Sequence, residues 1–134
     1  IDGIILRDIS YEFEPADVYF HLIGGVSSKS YSFMHNGKRT VVNVGYYENG
    51  NIDRLHYLSY DETRGINGPD YTNWYKNGNL KSEIYLKNGK SNRANGPARI
   101  WYHENGNVRS ESYYSDSGFE YEIEYDEDGE IINV

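Results

Sequence analysis

The sequence contains no cysteine among its 134 residues. The chain therefore has no disulfide framework, no cysteine nucleophile and no thiolate ligand for zinc. Long apolar runs are also missing. A membrane-spanning helix needs about 18 apolar residues in succession, whereas the best stretch here, Val18 to Val26, is short and contains His21 and two glycines. We therefore expect no membrane span. The chain begins with Ile1 rather than Met, which is compatible with the removal of a leader peptide. The cytoplasm is the favoured location.

Sequence patterns for catalysis are also missing. No Gly-x-Ser-x-Gly, Walker or Rossmann pattern occurs. The histidines are spread along the chain without the spacing of a metal site: they are His21, His35, His56 and His103. A lone histidine in a strand more often packs or is solvated than takes part in catalysis. We therefore expect a non-enzyme with no metal and no cofactor.

Basic residues are absent from the last part of the chain. Residues 110–134 hold nine acids and no Lys or Arg, a net charge of −9, whereas residues 1–109 carry a net charge of +1. Contacts to nucleic acid are made by clustered Lys and Arg, so we expect no direct nucleic-acid partner. An acidic end favours a basic protein partner, or serves solubility alone.

What the sequence does contain is a repeat with a period of 28 residues. Asn-Gly pairs begin at Asn49, Asn77 and Asn105, Asn-Gly-Pro begins at Asn67 and Asn95, and the same interval separates Tyr57, Tyr85 and Tyr113. Self-similarity at a fixed period of this size is typical of repeat architectures. Aromatic residues make up 16% of the chain, with 15 tyrosines, and such rings suit sheet faces that are half buried and half wet.

Asn-Gly pairs predict tight β-hairpins, because both residues tolerate the positive φ of a two-residue type I′ turn. Five such turns are expected, at Asn36, Asn49, Asn77, Asn105 and, with Asp-Gly, at Asp128. The predicted fold is all-β, an elongated single-sheet meander of antiparallel hairpins that forms one domain. Residues 31–134 would be the array and residues 1–30 a cap over one sheet edge. Strand-like signals occur at residues 4–6, 11 and 13. The pattern at residues 15–25 is compatible with either a helix or a strand, and we favour a strand.

Two-residue loops also predict which residues face each other, because partners mirror about the turn. Away from the turns the expected pairs are Val42–Tyr57, Val44–Leu55, Tyr71–Ile84 and Thr72–Glu83; next to the turns they are Tyr47–Ile52, Tyr75–Leu80 and Tyr125–Ile132. Rings oppose charges at Tyr46–Asp53, Trp74–Lys81 and Tyr102–Arg109, the last two as candidate cation–π pairs. These rings either solvate an ordinary sheet or form an aromatic strip for a partner. The polar segment 87–97 is expected to be a loop.

The acidic end alternates acids with apolar residues, which would place Glu120, Glu122 and Glu124 on one strand face. That face either blocks edge-to-edge association or docks a basic site. A calcium loop beginning at Glu124 fails at its first position, which needs Asp. The candidate partner-binding residues are Glu120, Glu122, Glu124, Asp126, Glu127 and Asp128, together with Trp74, Trp101 and Tyr102 of the aromatic strip.

The repeat unit resembles the MORN-variant repeats typified by YwqK-type antitoxin proteins. The resemblance lies in WYKNGNLKSEIYLKNGK from Trp74, YYENGNI from Tyr46 and YHENGNVRSESYY from Tyr102. The Arg-x-x-Gly-Pro-Ala element from Arg93 to Ala98 is similar to repeats in phage and giant-virus proteins. The resemblance implies a generic β scaffold.

We therefore expect a non-catalytic protein-binding module. The resemblance implies a more specific role, an inhibitor of the antitoxin, immunity or phage counter-defence type that docks its acidic C-terminal face on a basic partner site. The alternative is a glycan- or lipid-binding surface module that uses the aromatic strip around Trp74 and Trp101. The sequence specifies neither the partner nor the oligomeric state.

Overall fold

The computed structural model describes residues 17–23, 26–35, 38–58 and 68–134, and within them the chain forms strands and no helix. The strands are β1 (Asp17–Ile23), β2 (Val26–His35), β3 (Lys38–Tyr46), β4 (Ile52–Tyr57), β5 (Tyr71–Trp74), β6 (Leu80–Ile84), β7 (Leu86–Lys87), β8 (Lys90–Ser91), β9 (Arg99–Tyr102), β10 (Val108–Ser115), β11 (Gly118–Tyr125) and β12 (Ile131–Asn133). Ten of them form one open antiparallel sheet in chain order, with β6 beside β9 because β7 and β8 pair separately. The predicted all-β meander is confirmed.

The first described hairpin joins β1 to β2, with Ile23 opposite Val26. The preference for strand over helix is thus confirmed at residues 17–23. The strand-like signals at residues 4–6, 11 and 13, and the turn at Asn36, lie outside the described residues. Strands β2 and β3 nevertheless pair with the predicted mirrored register, since His35 faces Lys38. The division into a cap and an array stays a prediction.

The repeat turns are one residue longer than predicted. At the central turn the N–H of Gly78 donates to the C=O of Tyr75 at 2.9 Å, and the N–H of Tyr75 donates to the C=O of Asn79 at 2.8 Å. Gly78 has a φ of 93°, whereas Asn77 is not among the residues with positive φ. The loop is therefore a type I turn followed by a left-handed glycine. The type I′ prediction is wrong here, and the same bonds recur at the turns of Asn49, Asn105 and Asp128.

A type I′ turn does occur in a segment predicted to be a loop. Asn88 and Gly89 have φ values of 53° and 76°, and Lys87 faces Lys90 across them. The segment 87–97 therefore begins within a short hairpin, which corrects the loop prediction. A two-residue turn suits this hairpin because its backbone twist matches that of the flanking strands.

A β-bulge after each repeat turn restores the predicted register. Trp74 faces Leu80 and Asn73 faces Ser82, which leaves Lys81 as the extra residue. The extra turn residue shifts the pairing by one position and the bulge shifts it back. The predicted pairs Val42–Tyr57, Val44–Leu55, Tyr71–Ile84 and Thr72–Glu83 are therefore confirmed. The predicted pairs beside the turns are wrong: the observed pairs are Tyr46–Ile52, Trp74–Leu80, Tyr102–Val108 and Tyr125–Ile131.

The two faces of the sheet differ in character. Strand partners share a face, and one such row, which defines the polar face, consists of Arg54, Asn73, Ser82, Trp101, Ser110 and Glu124. The opposite side is the core face. Its buried cluster lies in β2 to β4 and consists of Tyr31, Val42, Val44, Leu55 and Tyr57, with Tyr46, Ile52 and Trp74 packed against it. The apolar core therefore sits in the first strands, away from the acidic end.

Side chains also join each repeat turn to the next. The Tyr75 hydroxyl donates to the C=O of Tyr102 at 2.7 Å, and the amides of Asn77 and Asn79 donate to the C=O of Glu104 at 3.1 and 2.7 Å. Equivalent bonds run from Tyr47, Asn49 and Asn51 to the Asn77 turn, and from His103, Asn105 and Asn107 to the Asp128 turn. We call this series the turn ladder. In the last turn Asp128 and Glu130 occupy the amide positions, and ionised carboxylates have no proton to donate.

Candidate partner-binding site at the acidic end

A groove of about 420 Å³ opens at the acidic end of the sheet. Strands β9 to β12 and the flanking turn residues supply its lining, which consists of Trp101, His103, Arg109, Ser110, Glu122, Glu124, Tyr125 and Ile132. The groove therefore brings together one predicted aromatic residue and two predicted acids. It also contains a histidine and an arginine that the sequence analysis did not select.

Pairing of the strands explains how the groove forms. Ser110 faces Trp101 on one side and Glu124 on the other. Ser110 is 7% exposed, so this small residue lies low between two longer side chains. Arg109 is the extra residue of the bulge between Val108 and Ser110, and bulges turn a side chain away from the regular alternation. The bulge thus lets Arg109 and Ser110 line the same groove.

The groove carries charges of both signs. Around the groove, in the described part of the chain, no ion pair within 4.0 Å joins Arg109 to Glu122 or Glu124; ion pairs are found elsewhere, between Arg54 and Asp53 and between Lys87 and Asp116. Arg109 and the two groove carboxylates are therefore not neutralised by one another. The Ser112 hydroxyl donates to Glu122 at 3.0 Å, which orients that carboxylate and leaves acceptor capacity on it. A charged group of a partner would therefore not have to break an ion pair between Arg109 and these carboxylates.

Glu120 stands apart from the other two acids of its strand. Tyr113 faces Tyr121 and Tyr114 faces Phe119, so Glu120 is the extra residue of a bulge in β11. The predicted single row of three acids is therefore interrupted. Glu120 instead lines a second hollow, of about 320 Å³, on the side of the β7–β8 hairpin.

The remaining predicted acids lie in the last turn. The Asp126 carboxylate accepts the backbone N–H groups of Asp128 and Glu130 at 3.0 and 2.9 Å. This residue therefore shapes the turn, and its substitution would disturb the backbone as well as the charge. Glu127 and Asp128 are exposed on the same turn. They lie outside the groove.

The predicted aromatic residues divide between the two faces. Trp101 faces Ser82 on the polar face, whereas Tyr102 is the next residue along the strand and so lies on the core face. Trp74 packs against the core cluster, and the Tyr102 hydroxyl donates to Glu83 at 2.5 Å. The strip predicted around Trp74 and Trp101 is therefore wrong, because its two ends lie on opposite sides.

The predicted cation–π pairs Trp74–Lys81 and Tyr102–Arg109 are also wrong. The Lys81 ammonium lies 5.7 Å from the centre of the Tyr75 ring, and Trp74 faces Leu80 instead. The cause is the bulge, which removes Lys81 and Arg109 from the regular pairing. The sequence carried a signal for this: the same repeat position is charged three times, at Asp53, Lys81 and Arg109.

Neither a membrane helix nor a metal cluster is found in the described part of the chain. The described residues contain no helix that is long and apolar enough to span a bilayer. Likewise, no three His, Asp or Glu side chains in the described ranges lie close enough to hold a metal ion.

Comparison with known proteins agrees with this architecture. Residues 70–88 and 98–116 match the family model of the MORN repeat variant. The two segments correspond to successive repeats of the sheet, and MORN repeats commonly act as protein- or membrane-binding modules. The resemblance to MORN-variant repeats is thus confirmed for these two repeats. No curated protein and no solved structure matched the chain.

Proposed function

We propose that the chain is a non-catalytic protein-binding module whose acidic end docks on a basic site of a partner. The observation that carries this proposal is the groove in which Trp101 lies with Glu122 and Glu124. A Lys or Arg side chain in this groove would gain both carboxylates as charge partners and the indole ring as a cation–π surface.

The wider charge distribution supports the same partner. Residues 110–134 carry a net charge of −9, and a field of one sign speeds encounter with the opposite sign. In the more specific form of the proposal, which follows the resemblance to YwqK-type antitoxin proteins, the chain is an inhibitor that covers a basic site. In this role Arg109 would meet an acidic or carbonyl group at the rim of the partner site.

The test compares two variants with equal loss of charge. One carries Glu122→Gln and Glu124→Gln in the groove, and the other carries Glu127→Gln and Asp128→Asn in the exposed turn. A short arginine-rich peptide is titrated against each, with tryptophan fluorescence as the readout. We expect the groove variant to bind roughly three- to tenfold more weakly, since exposed charge pairs contribute about 0.2–1 kcal/mol each, with a flatter dependence on salt.

The turn variant should retain most of the affinity. Equal losses in both variants would mean that total charge, and not the groove, attracts the peptide. Absence of peptide binding to the unaltered protein would overturn the proposal.

A glycan-binding role is a second candidate, and one observation favours it. Trp101 lies in a groove with polar side chains, and an aromatic ring combined with a few placed polar groups is a common arrangement for small-molecule sites. Oligosaccharide titrations at low and high salt separate the candidates. Binding that persists at high salt would support a glycan, because binding of a basic peptide is screened.

A further inference from the structure

The outer edge of β11 is mostly uncovered. Strand β11 has eight residues and β12 has three, and β12 pairs only with Glu124 and Tyr125. Within the described ranges, no strand pairs with residues 118–123 on that side. Alternate residues of an antiparallel strand direct their N–H and C=O groups outward, so this edge presents unpaired hydrogen-bonding groups.

Apolar side chains accompany this open backbone. Phe119 is 60% exposed and Tyr121 is 45% exposed. An exposed edge with apolar side chains is a template for pairing with another strand. The bulge at Glu120 bends the strand, so the regular part of the edge is short and backbone pairing alone would bind weakly.

Charge decides which strand this edge accepts. Glu120 and Glu122 lie along it, with Glu124 just beyond, where β12 covers the edge, and like charges placed directly opposite each other destabilise a strand pair. A second copy of the same acidic edge is therefore rejected. A strand that places Lys or Arg opposite Glu122 is favoured instead, because its cation faces the acid.

We propose that an extended basic segment of the partner adds to the outer edge of β11 as a further strand of the sheet. This inference rests on the proposed function and specifies how the partner is held. The residue opposite Glu122 shares the polar face with it, so a basic side chain there lies beside the groove. Backbone bonds to β11 then supply the register, and Glu122 and Glu124 supply the preference for a basic segment.

The test uses a short peptide of alternating lysine and valine and two N-methylated forms of it. Each form is methylated on every second backbone nitrogen, one form in each phase. Methylation removes a backbone donor and adds bulk without changing the side-chain charge. Because only one phase faces β11, we expect one form to bind roughly tenfold or more weakly than the parent peptide and the other to bind like it.

Amide hydrogen exchange on the protein gives the second readout. The parent peptide should slow exchange in residues 119–123, and the weak form should not. If both methylated forms bind like the parent, strand addition is overturned while docking through side chains stands. If no basic peptide binds, the proposed function fails as well. If a glutamate–valine peptide binds equally well, or if the protein self-associates through this edge, the basic occupant is overturned.

Discussion

Three tyrosine hydroxyls on the core face donate hydrogen bonds to carboxylates. Glu111 accepts bonds from Tyr113 at 3.1 Å and from Tyr125 at 3.4 Å, in the same way that Glu83 accepts one from Tyr102. Burial raises the pKa of Tyr113, and the bond to Glu111 and its charge raise it further, to about 12. The same causes, burial first, raise the pKa of Tyr102 well above its usual range. Ionisation beside a carboxylate is unfavourable because two negative charges would meet.

These shifts predict a loss of stability in alkaline solution. A hydroxyl whose pKa is higher in the folded state stabilises that state fully below the usual value of 10.0. The contribution is lost as pH rises through the folded pKa of about 12 for Tyr113. Tyrosinate absorbance, followed together with the free energy of unfolding, should show a late-titrating group. Glu111→Gln should lower the pKa of Tyr113, and titration of every tyrosine near its usual pKa would contradict the assignment.

The Arg-x-x-Gly-Pro-Ala element illustrates what the sequence could and could not specify for single residues. The sequence shows the pattern, but it does not show which residues the side chains of this element contact. The guanidinium of Arg93 lies 3.9 Å from the centre of the Tyr85 ring. Gly96 has a φ of 140°, and a Cβ there would lie 3.2 Å from Arg93, while Ala98 is fully buried. The spacing thus brings Arg93 back over Tyr85, a contact between residues that no local rule links.

At the scale of elements, the residue that follows Asn-Gly distinguishes the two turn types. Asn-Gly-Asn occurs at Asn49, Asn77 and Asn105, where the loop has three residues. Asn-Gly-Lys occurs at Asn88, where the turn is type I′. In the longer loop the side-chain oxygen Oδ1 of Asn77 accepts the backbone N–H of Asn79 at 2.9 Å, and the side-chain amides of Asn77 and Asn79 both donate to the next turn. The fold was predictable because Asn-Gly marks a hairpin in either case, whereas the register beside the turn depended on contacts between repeats.

The turn ladder should contribute measurably to stability. The Asn107 amide donates to the C=O of Glu127 at 2.7 Å, and in Asn107→Asp a carboxylate oxygen would face that carbonyl. We expect a loss of about 1 kcal/mol in the free energy of unfolding by urea, the usual net value of a hydrogen bond.

The matched control is Asn95→Asp, which makes the same change of charge on an exposed residue. Asn95 has no side-chain hydrogen bond to the described residues, so its substitution should change stability by less than about 0.5 kcal/mol. Equal effects of the two substitutions would mean that the loss in the free energy of unfolding comes from the added charge and not from the turn ladder.

At the scale of the whole molecule, the sheet has a packed end and an exposed end. The buried cluster lies in β2 to β4, whereas in the last strand Ile132 is 64% exposed. Composition predicted the acidic end but not this gradient in packing, which depends on where the cluster forms in the sheet. The groove and the open edge of β11 lie at the weakly packed end. Binding surfaces are commonly drawn from such regions because they adapt at low cost.

The gradient predicts that amide hydrogen exchange is slowest in β3 and β4 and fastest in β12. In a repeat array each unit contacts only its neighbours, so local opening at β12 should not require the core cluster to open. Leu55→Ala, which removes a buried side chain at a cost of about 2–5 kcal/mol, should then speed exchange in β3 to β5 and leave β12 unchanged. Equal acceleration in every strand would show that the sheet opens as one cooperative unit. In that case a partner at the acidic end would stabilise the core directly, and the groove could not adapt independently of it.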